Sequence, residues 1–196
     1  MKKIVLATRN AHKLEEFNKM FDSYEILSLD DIGFQGDIDE TGTTLEENSK
    51  IKAETIFEFW KDSGEDFAVI ADDSGLCVDA LGGKPGVYSA RYAGDHNDES
   101  NRQKLLKELE GVSNRDAYMA CALCYKDNKD EKVFLGKTMG KITTEKLGSD
   151  RFGYDPVFYS YELGKTFGQA SMEEKDSVSH RGVAVKMLKN YLNERK

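Results

Sequence analysis

The stretch that most constrains the fold is a short apolar run that leads directly into two acidic residues. Residues 68–71 read Ala-Val-Ile-Ala, and Asp72, Asp73, Ser74 and Gly75 follow. A continuous apolar run of this length is typical of a buried strand that is covered on both faces. In open α/β sheets, ligands bind beyond the ends of such strands. The run therefore predicts a central strand whose end carries the chemistry.

The two adjacent carboxylates are expected to have different roles. Successive side chains on a strand point to opposite faces of the sheet, so Asp72 and Asp73 would not reach the same ion if the strand continues through them. One would serve as a metal ligand or base, and the other would support it. The alternative is a structural turn, because Asp, Ser and Gly are common turn residues and the strand would simply end at them.

The order of predicted elements indicates an α/β domain with a mixed sheet, because helices alternate with strands first and adjacent strands follow. The predicted strands cover residues 3–7, 26–29, 67–71, 117–125 and 132–142, and residues 76–81 either continue the third strand or pair with it. The predicted helices cover a segment after residue 10, residues 44–61, residues 98–109 and one continuous segment from residue 171 to the C-terminus. Capping boxes are predicted at Thr43 with Glu46 and at Ser171 with Glu174. Residues 117–142 are expected to form an antiparallel lobe.

The composition is that of an ordinary globular protein, and it restricts the possible partners. Hydrophobic residues make up 39% of the chain, charged residues make up 33%, and the formal net charge is −8. This negative balance disfavours binding to a nucleic acid polymer or to an anionic membrane. No apolar run approaches the roughly 20 residues that cross a bilayer. The N-terminal apolar run is too short for a signal peptide, so we expect a cytoplasmic protein.

The turn after the first predicted strand carries groups suited to binding phosphate. A strand-to-helix turn presents backbone N–H groups and the positive end of the helix dipole. Thr8 and Asn10 add polar side chains, and Lys13 adds a positive charge one turn into the helix. The alternative is that Asn10 only caps the helix and that Lys13 is solvated. The candidate residues of this turn are Thr8, Arg9, Asn10, Ala11, His12 and Lys13.

A polar stripe is expected on the second helix. Thr44, Asn48 and Lys52 are spaced four residues apart, so they would share one face of the helix and could line a polar site. A solvated face is the alternative, and it is the usual position of such stripes. Glu40 lies just before this helix and could reach a metal ion near Asp73.

Two segments near the C-terminal end could recognise a nucleobase. In the segment Phe-Gly-Tyr-Asp at residues 152–155, the two rings could stack on a base and Asp155 could accept from a ring N–H. A β-turn with packed aromatic side chains is the alternative. Arg181 could donate to a ring carbonyl, and such a site would reject an exocyclic amine, because opposed donors leave buried groups unpaired. Lys175 and His180 lie in the same segment, for which a charged helix terminus is the alternative.

These groups together suit one kind of reaction. Carboxylates, phosphate-binding groups and stacking aromatic rings are the equipment for Mg²⁺-assisted attack by water on a nucleotide phosphate.

Seven segments, taken in order, resemble the inosine triphosphate pyrophosphatase-like family of XTP/dITP diphosphatases. They are residues 7–13 (ATRNAHK), 40–53 (ETGTTLEENSKIKA), 71–76 (ADDSGL), 82–92 (GGKPGVYSARY), 152–158 (FGYDPVF), 164–167 (GKTF) and 173–182 (EEKDSVSHRG). The ordered set covers nearly the whole chain and is far more specific than any one segment.

The resemblance implies a single nucleotide pyrophosphatase domain over residues 1–196, with an elongated mixed sheet flanked by helices and two lobes with a cleft between them. It implies Mg²⁺-dependent hydrolysis of ITP, dITP and XTP to the monophosphate and pyrophosphate, which would cleanse the nucleotide pool. It also implies a homodimer.

The resemblance further implies a role for each candidate residue. Asp73 would bind the metal and act as the base on water, Glu40 would share the metal, and Asp72 would support them. The triphosphate would be held by residues 8–13 together with Lys52. The substrate would also be contacted by Asn48 and Ser74. The base would be held by Phe152, Gly153, Tyr154 and Asp155, and its 6-oxo edge would be read by Lys175, His180 and Arg181.

Two other functions stay open. The chain could be a Maf-like pyrophosphatase for other modified nucleotides, or a nucleotide-binding regulator without catalytic activity. One residue departs from the family pattern: Arg151 stands where glycine is common. This difference could change the shape of the loop that would hold the base, and with it the ranking of substrates.

Overall fold

A mixed β-sheet with flanking helices forms the architecture of this chain. The structure, a computed structural model, describes residues 3–21, 24–149 and 152–195, so Arg151 lies outside the described residues. The strands are β1 (Lys3–Leu6), β2 (Glu25–Leu27), β3 (Phe67–Val78), β4 (Asp116–Lys126), β5 (Glu131–Ile142), β6 (Phe158–Ser160) and β7 (Lys165–Thr166). The helices are α1 (Ala11–Met20), α2 (Leu45–Trp60), α3 (Asp98–Glu108), α4 (Met172–Val178) and α5 (His180–Glu194).

The order of the strands in the sheet is β2-β1-β3-β4-β5-β6-β7. β1 pairs in parallel with β2 and with β3, whereas β6 pairs antiparallel with β5 and with β7. The prediction of an α/β fold with a mixed sheet is therefore confirmed. Among the described residues, no helix has the length and apolar character that a membrane span requires.

The central strand β3 does not end at the two acids. It continues from Phe67 to Val78, and Asp72 and Asp73 are both buried within it. The alternative that these residues form a turn is therefore wrong. The parallel partner β1 ends first, because its last paired residue, Leu6, lies opposite Ile70. The acids thus lie just beyond the carboxyl end of β1, which is where parallel sheets place polar chemistry.

The chain forms two compact units. The first comprises residues 1–73, 122–135 and 184–196, and the second comprises residues 74–121 and 136–183. The core of the first unit includes Val5, Ile56, Phe57, Phe67 and Val69. The core of the second unit includes Leu76, Leu105, Tyr154, Phe158 and Phe167. Strands β4 and β5, which cover the lobe expected at residues 117–142, contribute residues to both units.

The prediction of one continuous C-terminal helix is wrong, because the helix is interrupted at Ser179. This residue is extended, with φ −66° and ψ 154°, and its Oγ accepts from the N–H of Gly182 at 3.0 Å. The last carbonyl of α4, on Val178, accepts from the hydroxyl of Thr138 at 2.7 Å. A Cβ at Gly182 would lie 1.8 Å from the carbonyl oxygen of Asp176, so this close turn requires glycine.

Of the two capping boxes predicted at helix N-termini, one is corrected and one is confirmed. The capping box of α2 uses Thr44 and Glu47, one residue after the predicted pair of Thr43 and Glu46, because the helix begins at Leu45. The second predicted capping box, Ser171 with Glu174, is confirmed at α4.

Candidate active site

The first feature of the site is a buried ion pair between α1 and β3. The Nζ of Lys13 lies 2.8 Å from Oδ1 of Asp72, and the side chain of Asp72 is fully buried. The alternative of a solvated Lys13 is therefore wrong. Because the lysine is held by the carboxylate beneath it, its ammonium group is kept near the turn that begins α1.

A second lysine joins two other carboxylates. The Nζ of Lys52 lies 2.8 Å from Oε1 of Glu40 and 3.0 Å from Oδ1 of Asp73. Lys52 projects from α2, and both it and Asp73 are buried. Glu40 and Asp73 contact the same ammonium group, and the metal ion that they would share stays a prediction. Asp72 and Asp73 therefore have different lysine partners.

The loop before α2 is tied to this cluster by Asn48. Its Nδ2 donates to Oδ2 of Asp73 at 3.3 Å, and its Oδ1 accepts from the N–H of Gly42 at 2.8 Å. A Cβ at Gly42 would lie 2.6 Å from that Oδ1, so only glycine allows the loop to approach so closely. Asn48 is fully buried, so the alternative of a solvated face is wrong for Asn48 and Lys52; Thr44 is exposed as the cap of the helix.

The electrostatics of this acid cluster (Glu40, Asp72, Asp73, Lys13 and Lys52) follow from an excess of negative charge, three carboxylates against two ammonium groups. Burial raises the pKa of Asp73 above its usual range, and the charge of Lys52 only partly offsets this effect. Burial alone would lower the pKa of Lys52, but the charges of Asp73, Asp72 and Glu40 outweigh it and raise that pKa. The cluster therefore attracts further positive charge.

The residues fit a small divalent cation. Glu40 and Asp73 converge on one point, because both carboxylates lie within 3.0 Å of the same ammonium nitrogen. Mg²⁺ is commonly bound through one or two carboxylates together with substrate phosphates and water. No group of three or more His, Cys, Asp or Glu side chains suited to a metal occurs among the described residues. The donors thus suit a metal ion that is shared with a phosphate.

The turn after β1 is organised by its own side chains. Oδ1 of Asn10 accepts from the N–H groups of His12 and Lys13 at 3.0 and 3.2 Å, and Oγ1 of Thr8 accepts from the N–H of Asn10 at 3.1 Å. The proposed cap at Asn10 is therefore confirmed. Ala11 and His12 are exposed at the start of α1.

Arg9 belongs to this turn but has a different set of contacts. Its Nη2 donates to the carbonyl oxygens of Phe34 and Gly36 at 3.0 and 2.9 Å. The guanidinium group therefore fastens the loop at residues 34–36. Its predicted contact with a triphosphate stays a prediction.

In the second unit, the predicted base-binding segment contains a buried ion pair. Nζ of Lys175 lies 2.7 Å from Oδ2 of Asp155, and the side chains are 6% and 3% exposed. The amide of Gly168 also donates to the carbonyl of Asp155 at 2.8 Å. Lys175 and Asp155 therefore form an ion pair with each other. Their contacts with a base stay a prediction, and a base would meet the two side chains as a pair.

The two aromatic residues of this segment are not equivalent. Tyr154 is 5% exposed within the core of the second unit, and its hydroxyl donates to the carbonyl of Ser89 at 2.8 Å. The prediction that both rings stack on a base is corrected, because Tyr154 has no open ring face to offer. Phe152 and Gly153 are half-buried, so Phe152 is the ring that can stack.

The remaining candidates, His180 and Arg181, lie just after the break between α4 and α5. His180 and Arg181 form the first turn of α5 and are 6% and 2% exposed. Nη2 of Arg181 lies 3.4 Å from the hydroxyl of Ser74. These residues do form a charged helix terminus, as the alternative had it, but His180 and Arg181 are buried there. Ser74 is half-buried on β3.

Two residues that contact the base-binding segment were missed from the sequence. Asp98 and Arg102 on α3 make hydrogen bonds to the backbone of Gly153. Their spacing of four residues could have indicated a shared face, but a charged stripe on an amphipathic helix is usually solvated.

Comparisons with known proteins agree with the fold and with the resemblance. The profile of the Ham1 family matches residues 4–191. A dITP/XTP pyrophosphatase of Bacillus licheniformis is 48% identical over 99% of this chain and 100% of its own. One of Clostridium perfringens is 46% identical over 98% of both chains. The structure of the Staphylococcus aureus Ham1 protein superposes with a TM-score of 0.89 at 40% identity, and the match covers both chains in full.

Proposed function

The chain belongs to the Ham1 family, and from this premise we propose that it hydrolyses dITP, ITP and XTP to the monophosphate and pyrophosphate with Mg²⁺. The observation that carries the proposal is the convergence of Glu40 and Asp73 on one point of positive charge. The names of the similar enzymes from Bacillus licheniformis and Clostridium perfringens support the substrate class.

The proposed chemistry of the first unit uses its excess of carboxylates. Glu40 and Asp73 would hold Mg²⁺, which when bound neutralises charge on the phosphate oxygens. Asp73 would also accept a proton from the attacking water, and because burial raises its pKa, it would be a stronger proton acceptor than an exposed carboxylate. Lys13 and Lys52 would then donate to the triphosphate as point charges. Asp72 would hold Lys13 in place.

The proposed role of the second unit is to select the base. Phe152 would stack on the purine, and the pair of Asp155 and Lys175 would contact the ring edge. Arg181 and His180 would donate to a 6-oxo group. An adenine would present an amine to these donors, which leaves buried groups unpaired and so disfavours ATP.

Product identification tests the proposed function. The protein is incubated with Mg²⁺ and, separately, with ITP, dITP, XTP, GTP and ATP, and the products are separated by ion-exchange chromatography. We expect monophosphate and pyrophosphate from ITP, dITP and XTP, with ATP nearly untouched. Equal turnover of ATP would contradict the proposed reading of the 6-oxo group. Binding of ITP without turnover would favour a regulator, and turnover of modified bases only would favour a Maf-like enzyme.

The metal site has its own test. Removal of divalent cations with a chelator should abolish turnover, and Mg²⁺ should restore it. Mg²⁺ should also raise the melting temperature of the nucleotide-free protein, and this increase should be smaller in Glu40→Gln. An equal increase in Glu40→Gln would remove Glu40 from the metal site.

A homodimer in the cytoplasm is part of the proposal, and sedimentation equilibrium measures the assembly state.

A further inference from the structure

One helix of the second unit holds both backbone polar groups of a single residue in the base-binding segment. The N–H of Gly153 donates to Oδ2 of Asp98 at 2.8 Å. The carbonyl oxygen of Gly153 accepts from Nη1 of Arg102 at 2.6 Å. Asp98 and Arg102 are four residues apart on α3, so they lie on the same face, one turn from each other.

The guanidinium group of Arg102 is fixed before any ligand binds. Its side chain is 6% exposed, and Nε and Nη2 both donate to Oε2 of Glu99, at 3.3 and 3.0 Å. Glu99 in turn accepts from Nζ of Lys146 at 2.9 Å. Because these bonds leave the planar group little freedom to rotate, Nη1 is directed at the carbonyl of Gly153.

The next residue of the segment is fixed by a separate contact. The hydroxyl of Tyr154 donates to the carbonyl of Ser89, and the hydroxyl of Ser89 accepts from the N–H of Leu76 on β3 at 2.9 Å. Gly153 and Tyr154 are thus both held from outside the segment. They lie between Phe152 and Asp155, the two residues of the segment with side chains suited to a base.

We infer that Asp98 and Arg102 are positioning residues that hold the peptide of Gly153, and through it Phe152 and Asp155, in the arrangement that selects the base. The inference rests on the proposed function for the identity of the ligand, whereas the anchoring of Gly153 is independent of it. A supporting shell of this kind matters because small displacements of a binding group have large effects on the ligand.

The expected consequence is a change in substrate binding and selectivity with little change in the chemical step. The base is remote from the reacting phosphorus, and interactions that are equal in the ground and transition states affect KM more than kcat. Arg102→Met and Asp98→Ala should each raise the KM for ITP about tenfold, the size of effect that follows loss of a supporting hydrogen bond behind a ligand-binding group, and should leave kcat within about threefold. The ITP/ATP ratio of kcat/KM should fall in both variants.

Two matched variants separate positioning from a general disturbance of α3. Asp98→Asn keeps an acceptor oxygen for the N–H of Gly153, so we expect it to retain the selectivity that Asp98→Ala loses. Lys107→Ala changes an exposed side chain of the same helix and should behave as the unaltered protein. An equal loss in Asp98→Asn or in Lys107→Ala would overturn the inference.

Amide hydrogen exchange tests the anchoring without any nucleotide. The amide of Gly153 should exchange at least about tenfold faster in Asp98→Ala than in the unaltered protein, because its acceptor is gone. Unchanged exchange would overturn the inference, whatever the substrate. Failure of the unaltered protein to hydrolyse ITP would instead contradict the proposed function, and the exchange result would still decide the anchoring. If Arg102→Met does not fold, Asp98→Ala carries both measurements.

Discussion

The acid cluster of the first unit and the proposed base-binding segment of the second both bury charged side chains, but they balance the charges differently. The acid cluster contains three carboxylates and two ammonium groups, whereas Asp155 and Lys175 form a one-to-one pair. A buried site with excess negative charge attracts a cation, and a divalent cation would in turn make the site attractive to a phosphate. A balanced pair has no net charge, so it holds its segment in place and can offer only hydrogen bonds to a neutral base. This difference supports our proposal that the first region performs the reaction and the second selects the substrate.

The largest expected effect comes from removing one charge of the acid cluster. Asp73→Asn keeps the size of the side chain but removes the proposed base, so turnover of ITP should fall by at least about 10³-fold, within the range for loss of a general base. Pyrophosphate release measures the rate, and the melting temperature should show that the fold is kept. Glu65→Gln, which changes an exposed carboxylate of the same unit, is the control. Turnover within tenfold of the unaltered protein would exclude Asp73 as the base.

The next effect concerns the balanced pair. Lys175→Met leaves the buried carboxylate of Asp155 without its ammonium partner, which should lower the free energy of unfolding by about 3 kcal/mol. Urea denaturation measures the change. The exposed pair of Lys19 with Glu15 is the matched comparison, and Lys19→Met should cost less than about 1 kcal/mol. Equal costs for the two variants would show that burial does not make the pair of Lys175 with Asp155 special.

A smaller effect is expected for the residue that we assign to the 6-oxo group. Arg181→Lys keeps the positive charge but loses the planar arrangement of donors, so the two side chains are not equivalent here. The ITP/ATP ratio of kcat/KM should fall about tenfold, the value of one charge-assisted hydrogen bond. Lys186→Met on the same helix should leave the ratio unchanged. An unchanged ratio in Arg181→Lys would move the reading of the base to other residues.

The smallest effect is a dependence of stability on pH at α3. Hydrogen bonds from Lys146, Gln103 and Arg102 lower the pKa of Glu99 from 4.5 to about 2. Because the pKa is lowered in the folded state, the stabilisation is present above about pH 4.5 and is lost as the pH falls towards 2. Glu99→Gln should therefore lower the free energy of unfolding at pH 6, but by less than about 1 kcal/mol because the group is partly exposed. The decrease at pH 3 should be smaller than the decrease at pH 6.

The control for this pH effect is Glu110→Gln, which changes an exposed carboxylate just after the same helix. Urea denaturation at pH 6 and pH 3 should give the same difference for this control at both values. A difference for Glu99→Gln that does not shrink between pH 6 and pH 3 would contradict the assigned role of the ion pair.

Much of the fold could be predicted from local patterns. Hydrophobic periodicity predicted the strands and helices around the site, and strand alternation predicted that Asp72 and Asp73 have different partners. The continuation of β3 through these acids was left open as one of two alternatives, because the lysines that pair with the carboxylates come from α1 and α2. Such long-range contacts leave no signal in the local pattern of the strand.

The remaining errors have the same physical origin. At the break before α5, the last carbonyl of α4 accepts a hydrogen bond from Thr138, which is about forty residues away along the chain. The anchoring of Gly153 by Asp98 and Arg102 uses backbone groups, which every residue possesses, so no side-chain pattern marks it. Tyr154 could not be distinguished from Phe152 as a stacking ring, because burial of either ring depends on the packing of the second unit.

The most direct test of the division between reaction and selection is the ITP/ATP ratio of kcat/KM in Asp73→Asn. If Asp73 acts only in the reaction, kcat/KM for ITP and kcat/KM for ATP should both fall by at least about 10³-fold. Their ratio should then stay within about threefold of the value in the unaltered protein. A ratio that collapses with the rate would contradict this division, because it would show that the acid cluster itself distinguishes the two bases.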